Sequence, residues 1–303
     1  MIRILAADPL NAQALEQLSE IPEFEVVEKL GLSPDELACE LPQYEAVIVR
    51  SATQLSREVL APAKKLRLIV RVGIGLDNIA MDYARARGIE VRNTPAATAV
   101  TVAEFTLAAL LGACRFIGPA YQSMKAHRWE KRSFAAGIEL DGKTAGIVGM
   151  GRIGRAVARR LIALGMRVLF SDRQKIRTDL DCRQVSLEEL LREADVISIH
   201  LPLNESTRGL IGERELAMVK EKVVLVIPSR GGIVNEAALL HTLAAGKIRA
   251  VAVDAYESEP PQQFALIDQE RVFPSPHLAG STAEGQERAG LDAIAILKEF
   301  FNV

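Results

Sequence analysis

The chain has 303 residues, 49% of them hydrophobic and 25% charged, with 37 Lys+Arg against 39 Asp+Glu and a formal net charge of −2. That length suits two domains, and the apolar fraction supplies a large core. The balanced charge, with no Lys/Arg block, argues against nucleic acid or an anionic membrane as a partner.

The opening stretch "MIRILAADPL" predicts a strand over Ile2–Ala6, and Asp8 and Pro9 end the apolar run too early for a signal peptide. Strands follow at Ala46–Val49, Leu68–Val72 and Ile89–Val91. "NTPAATAV" (93–100) punctuates the chain before an apolar helix, Val102–Arg115. The longest apolar stretch, Phe105 to Cys114, falls far below the roughly 20 residues of a bilayer span and reads as a buried helix. Cys39, Cys114 and Cys182 are odd in number, form no CxxC pair and suit a reducing compartment without a metal site. A soluble, cytoplasmic protein is expected.

Further strands are predicted at Ala145–Val148, Val168–Phe170, Val196–Ile199, Val223–Ile227 and Ala250–Val253. Between them lie segments of 3.6-residue periodicity such as Leu187–Leu191 and Glu236–Leu243, and Glu284–Phe301 closes the chain as a helix. Near-continuous apolar strands joined by helices imply parallel sheets covered on both faces. The fold class is α/β, doubly wound.

Residues 145–160 read "AGIVGMGRIGRAVARR". Gly149, Gly151 and Gly154 follow a buried-strand run and open a helix, Arg152–Leu164. The first glycine permits the tight turn, the second the approach of a pyrophosphate, and the third close helix–strand packing. A turn and helix cap without a ligand is the alternative. Asp172, at the end of the next strand, stands where an acid hydrogen-bonds an adenosine ribose. Its charge favours NAD over NADP, although Arg173 beside it offers a cation for a 2′-phosphate.

Three further stretches bring charged groups to strand ends. In "VLVIPSRGGIVNEAALL", Arg230 suits a substrate carboxylate, or else caps a loop. In "AVAVDAYESEPP", Asp254 and Glu259 follow a strand, and Glu257 reads as solvated. In "FPSPHLAG", His277 follows Pro274 and Pro276, one of four histidines in the chain. Alone, a loop histidine is more often structural. In series after a dinucleotide fingerprint, Arg230, Glu259 and His277 supply what oxidation of a secondary alcohol needs: a cation for the substrate, a carboxylate to orient the base, and the base. No GxSxG elbow competes with this reading.

The segments "VIVRSATQLSREVL", "RVGIGLDNIA", "VRNTPAATAVTVAEFTLAALL", "HRWEKRSF", "LDGKTAGIVGMGRIGR", "SRGGIVNEAAL", "VDAYESEPP" and "SPHLAGST" occur in family order. With them the chain resembles the D-isomer-specific 2-hydroxyacid dehydrogenases, and within these the phosphoglycerate dehydrogenases. The resemblance implies a Rossmann NAD-binding domain, residues 97–281, inserted in a flavodoxin-like substrate-binding domain made of residues 1–96 and 282–303. It implies NAD-dependent oxidation of 3-phosphoglycerate in serine biosynthesis, with His277 as acid/base, Glu259 as its partner and Arg230 on the substrate. Gly149, Gly151, Arg152, Ile153, Gly154, Asp172, Pro202, Ser229, Asp254 and Gly280 would contact NAD, Asp254 at the nicotinamide side. Arg50, Ser51, Val72, Gly73 and Asn78 would line the substrate side, and Lys131 and Arg132 would serve the substrate phosphate across a homodimer interface.

The sequence departs from the family pattern in two places. Lys131 stands two residues after the tryptophan, where relatives commonly have arginine, and Ile74 stands where threonine is frequent. The resemblance further implies no serine-binding regulatory extension within these 303 residues. Two other readings remain: a glyoxylate or hydroxypyruvate reductase, and an NADH-sensing binding module without chemistry.

Overall fold

A computed structural model describes residues 1–303 and divides them into two compact units, Met1–Ala99 with Gly280–Val303, and Val100–Ala279. In the first unit, β1 (Ile2–Ala6), β2 (Phe24–Glu28), β3 (Ala46–Val49), β4 (Leu68–Arg71) and β5 (Glu90–Asn93) form one sheet. Its order is β2-β1-β3-β4-β5, parallel throughout. This is the flavodoxin-like arrangement. Strands β3 and β4 are buried at every position, and they read as apolar runs broken only by Arg71 at the end of β4.

The closing helix, Ala283–Phe301, belongs to this first unit. Thr282 caps it by accepting from the Gly285 N–H at 3.0 Å, and Asn302 ends it in the left-handed region at φ 57°. Ala289, Ala293, Ile294 and Leu297 pack on Ile4, Ile48, Leu68 and Val70 of the sheet. That apolar stripe, spaced at four, one and three residues, brings the chain's end back to its beginning.

The second unit holds β6 (Thr144–Val148), β7 (Arg167–Ser171), β8 (Cys182–Gln184), β9 (Val196–Ile199), β10 (Val223–Ile227), β11 (Ile248–Val253) and β12 (Val272–Pro274). They form a parallel sheet in the order β12-β11-β10-β9-β6-β7-β8. Counted from β6, this is the dinucleotide-binding order, with β6 at the point where winding reverses. Both faces are covered. Helix Ala99–Arg115 contributes Ala103, Leu110, Ala113 and Cys114 to one core, while Leu190, Leu216 and Leu239 fill the other. No single helix is long and apolar enough to cross a membrane.

Three strands were not predicted: β2, β8 and β12. All three are sheet edges. Edge strands are short and half solvated, so they carry charges and lack the apolar signature of central strands. The fourth edge, β5, lies one to two residues later than predicted for the same reason, since "EVRN" is mostly polar.

Candidate active site

The glycine loop leaves β6 at the switch point and opens helix Arg152–Ala163. Gly149 has φ 95°, and a Cβ there would lie 2.7 Å from the His200 carbonyl oxygen. A Cβ on Gly154 would lie 2.1 Å from the Gly149 carbonyl oxygen, so the helix can sit this near the strand only without one. Gly151 has nothing within 4 Å of where a Cβ would be, and it offers no side chain to cap the helix. The helix therefore begins without a side-chain cap, and its first N–H groups have no capping partner, as an anion site requires.

Asp172, just past β7, accepts from the Met150 N–H at 2.9 Å and from the Gln174 N–H at 3.0 Å. Each oxygen keeps a lone pair for a ribose hydroxyl. Ser229 Oγ, after β10, is buried with no hydrogen-bond partner, a vacancy that a bound group would fill. These residues fit a dinucleotide. Arg152 and Ile153 begin the helix, and the Pro202 carbonyl accepts from Thr207 Oγ1 at 2.6 Å; the expected contact Gly280 lies in the first unit, with nothing within 4 Å of where its Cβ would be.

His277 and Glu259 come together in the second unit. The Nδ1–Oε2 distance is 2.6 Å, with both side chains partly exposed. Burial alone would raise the Glu259 carboxyl; the His277 hydrogen bond and charge, the Tyr256 N–H and the Arg230 charge outweigh it and hold the group below its ordinary 4.5. An ionised carboxylate can only accept, so Nδ1–H donates; in the neutral imidazole the lone pair then lies on Nε2. Arg230 follows β10, with its Nη1 donating to the Ser229 carbonyl at 2.8 Å.

The His277 backbone sits at φ 53°, a left-handed conformation that costs a non-glycine residue on the order of 1–3 kcal/mol unless its surroundings impose it. Asp254 imposes it. Only 1% exposed, its carboxylate accepts from Ser275 Oγ at 2.6 Å, the Leu278 N–H at 2.8 Å and the Ala279 N–H at 2.7 Å. The resemblance implies a place at the nicotinamide side for Asp254; in the structure its carboxylate accepts these three hydrogen bonds from the His277 loop. Glu257 is not merely solvated either. It accepts from the Glu236 N–H at 3.2 Å, and its own N–H donates to Glu236 at 2.8 Å, joining the 254–259 loop to helix Glu236–Ala244.

The expected substrate-side residues lie in the first unit, at the carboxyl ends of β3 and β4. Asn78 is 6% exposed, and its amide nitrogen donates to the carbonyls of Arg50 at 2.7 Å and Thr53 at 2.6 Å. It therefore braces the loop bearing Arg50 and Ser51 from beneath instead of facing outward. Asp8 does the same from β1, accepting from the Arg50 N–H at 2.5 Å. The Val72 N–H donates to the Val49 carbonyl at 2.8 Å, and the Gly73 N–H to Thr94 Oγ1 at 2.7 Å. Sequence reasoning missed Asp8 and Thr94, because their signal is burial, which a loop acid or threonine does not advertise.

Lys131 and Arg132 are exposed in the second unit. Lys131 lines a groove of about 670 Å³ together with Arg115, Ser123, Met124, Arg128 and Trp129. His200, by contrast, is held by Ser198 Oγ at 2.8 Å, and burial pushes its imidazole down to about 3, so it stays neutral.

Comparison with known proteins gives these features a family. The model of "D-isomer specific 2-hydroxyacid dehydrogenase, NAD binding domain" matches residues 107–279. A hydroxypyruvate reductase of Thermotoga maritima is 40% identical, over 98% of each chain. A D-3-phosphoglycerate dehydrogenase of Archaeoglobus fulgidus is 42% identical over 96% of this chain, which spans 55% of that protein. The crystal structure of a glyoxylate reductase from Paecilomyes thermophila superposes with a TM-score of 0.90 at 33% identity, covering 98% of this chain and 94% of that one. The chain belongs to the D-isomer-specific 2-hydroxyacid dehydrogenases and carries that family's NAD-binding domain.

Proposed function

We propose that the chain is a D-3-phosphoglycerate dehydrogenase, oxidising 3-phosphoglycerate to 3-phosphohydroxypyruvate with NAD in serine biosynthesis. The observation that carries the chemistry is the 2.6 Å bond from His277 Nδ1 to Glu259. It leaves Nε2 to take the proton of the substrate hydroxyl, while Glu259 stabilises the imidazolium that forms. Arg230 binds the substrate carboxylate and offsets charge on the reacting oxygen. NAD, when bound, supplies the hydride acceptor. Exposed Lys131 and Arg132 offer cations for the phosphate, and the similarity to the Archaeoglobus protein supports that substrate.

A second reading, hydroxypyruvate reductase, is favoured by the end-to-end match to the Thermotoga protein. The ratio of kcat/KM for phosphorylated and unphosphorylated substrates, taken with NAD(H) and NADP(H), separates the two. Preference for 3-phosphoglycerate and NAD supports the first; preference for hydroxypyruvate overturns it.

The working form is a homodimer in the cytoplasm. Helix Ile117–Lys125 exposes Ile117 (57%), Tyr121 (59%) and Met124 (54%) at helical spacing, and Trp129 beyond it is 79% exposed. An apolar stripe of this kind calls for a covering surface, and a second copy supplies one. The cysteines are unpaired, as suits a reducing compartment. Sedimentation should give twice the chain mass; a monomer at micromolar concentration removes the dimer.

A further inference from the structure

Tyr256 meets all three segments that carry the proposed chemistry. Its backbone N–H donates to Glu259 Oε1 at 3.1 Å, which leaves Oε2 for His277. Its phenol O–H donates to the Ser275 carbonyl at 3.0 Å, and the His277 N–H donates to that same carbonyl at 3.1 Å. Its own carbonyl group backs onto Gly231, the residue after Arg230. A Cβ on Gly231 would lie 1.9 Å from the Tyr256 carbonyl carbon and oxygen, so the two loops approach only because that position is glycine.

The side chain is 9% exposed, so the phenol must find its partner inside the protein. Burial raises it above its ordinary 10; the Ser275 hydrogen bond opposes this, and the charges of Asp254, Glu259 and Glu236 add to the rise. The O–H therefore remains a donor at every pH where a histidine base works.

We propose that Tyr256 is a positioning residue for the acid/base pair, fixing the Glu259 carboxylate with its backbone and the His277 loop with its hydroxyl. Asp254 fixes the loop to the sheet; Tyr256 fixes it to the carboxylate. Without the hydroxyl, the loop keeps its anchor but loses its register against Glu259. The inference rests on His277 being the base.

The test uses the full chain with NAD(H), comparing Tyr256→Phe with wild type in steady-state kinetics, NADH fluorescence titration and thermal unfolding. Loss of one neutral hydrogen bond predicts a kcat lowered about two- to tenfold. NADH affinity should hold, and the midpoint of the pH–rate profile should move to lower pH, because a misaligned carboxylate stabilises the imidazolium less. In a Glu259→Gln background the same substitution should have no further effect. A kcat and pH midpoint equal to wild type, or an equal loss in the Glu259→Gln background, overturns the proposal. His277→Asn separates the two levels. If it keeps turnover, the acid/base reading itself fails; if it is inactive while Tyr256→Phe is silent, only the positioning role fails.

Discussion

Two loops at the carboxyl edge of the same sheet are held in opposite ways. The 149–154 loop is shaped by missing atoms: Gly149 lies against the His200 carbonyl and Gly154 against the Gly149 carbonyl, each at a distance no Cβ tolerates. The 275–279 loop is shaped by added ones, with the Asp254 carboxylate and the Tyr256 hydroxyl drawing it into a backbone conformation a histidine otherwise avoids. A phosphate site needs backbone N–H groups laid bare, whereas a base needs a side chain held still.

The sharpest way to break this contrast is to exchange one atom in each loop. Gly154→Ala should have the larger effect. Its Cβ, 2.1 Å from a backbone oxygen, forces helix from strand, at about 1–3 kcal/mol of overpacking, and NADH affinity should fall with stability. Asp254→Asn should cost less and act elsewhere. With the amide NH₂ at either oxygen position, at least one of the Leu278 and Ala279 N–H groups faces a donor, at about 1–2 kcal/mol. There kcat should drop while NADH affinity holds. Thermal unfolding and fluorescence titration of both variants check this; similar losses of NADH affinity would mean the two loops are not independently held.

Glu259→Gln gives the smallest stability effect, and one that depends on pH. The folded carboxyl lies below 4.5, so its hydrogen bonds from His277 and the Tyr256 N–H stabilise the protein above the unfolded value, and that stability is lost as pH falls through the folded one. Melting temperatures should therefore differ most above the ordinary carboxylate range and converge as pH falls below it. A gap that widens on acidification would show that the carboxylate is not ionised in the folded state. Because the Glu259 side chain is 38% exposed, solvent screening keeps the gap small.

Legibility followed burial and conformation. Central strands such as Ala46–Val49 and Val223–Ile227 were read to the residue, because two covered faces leave no place for a charge. The edge strands Phe24–Glu28 and Cys182–Gln184 were not, since one open side admits Glu, Arg and Gln. At the site, Arg230, Glu259 and His277 stood out as charged or titratable residues at strand ends. Tyr256, which hydrogen-bonds to both Glu259 and the Ser275 carbonyl, did not, because nothing in the order of residues marks a buried aromatic as their support.

By itself, the sequence determined the α/β class, the glycine loop and the candidate reacting groups, because apolar periodicity and missing Cβ atoms are properties of residues in order. Only the tertiary structure decided which oxygen of Glu259 faces Nδ1, that Asp254 serves the histidine loop, and that Tyr256 joins the carboxylate to that loop. The bonds from Glu259 to His277, from Tyr256 to Ser275 and from Ala279 to Asp254 span 18 to 25 residues, and they exist only once the sheet has brought the ends of β11 and β12 together.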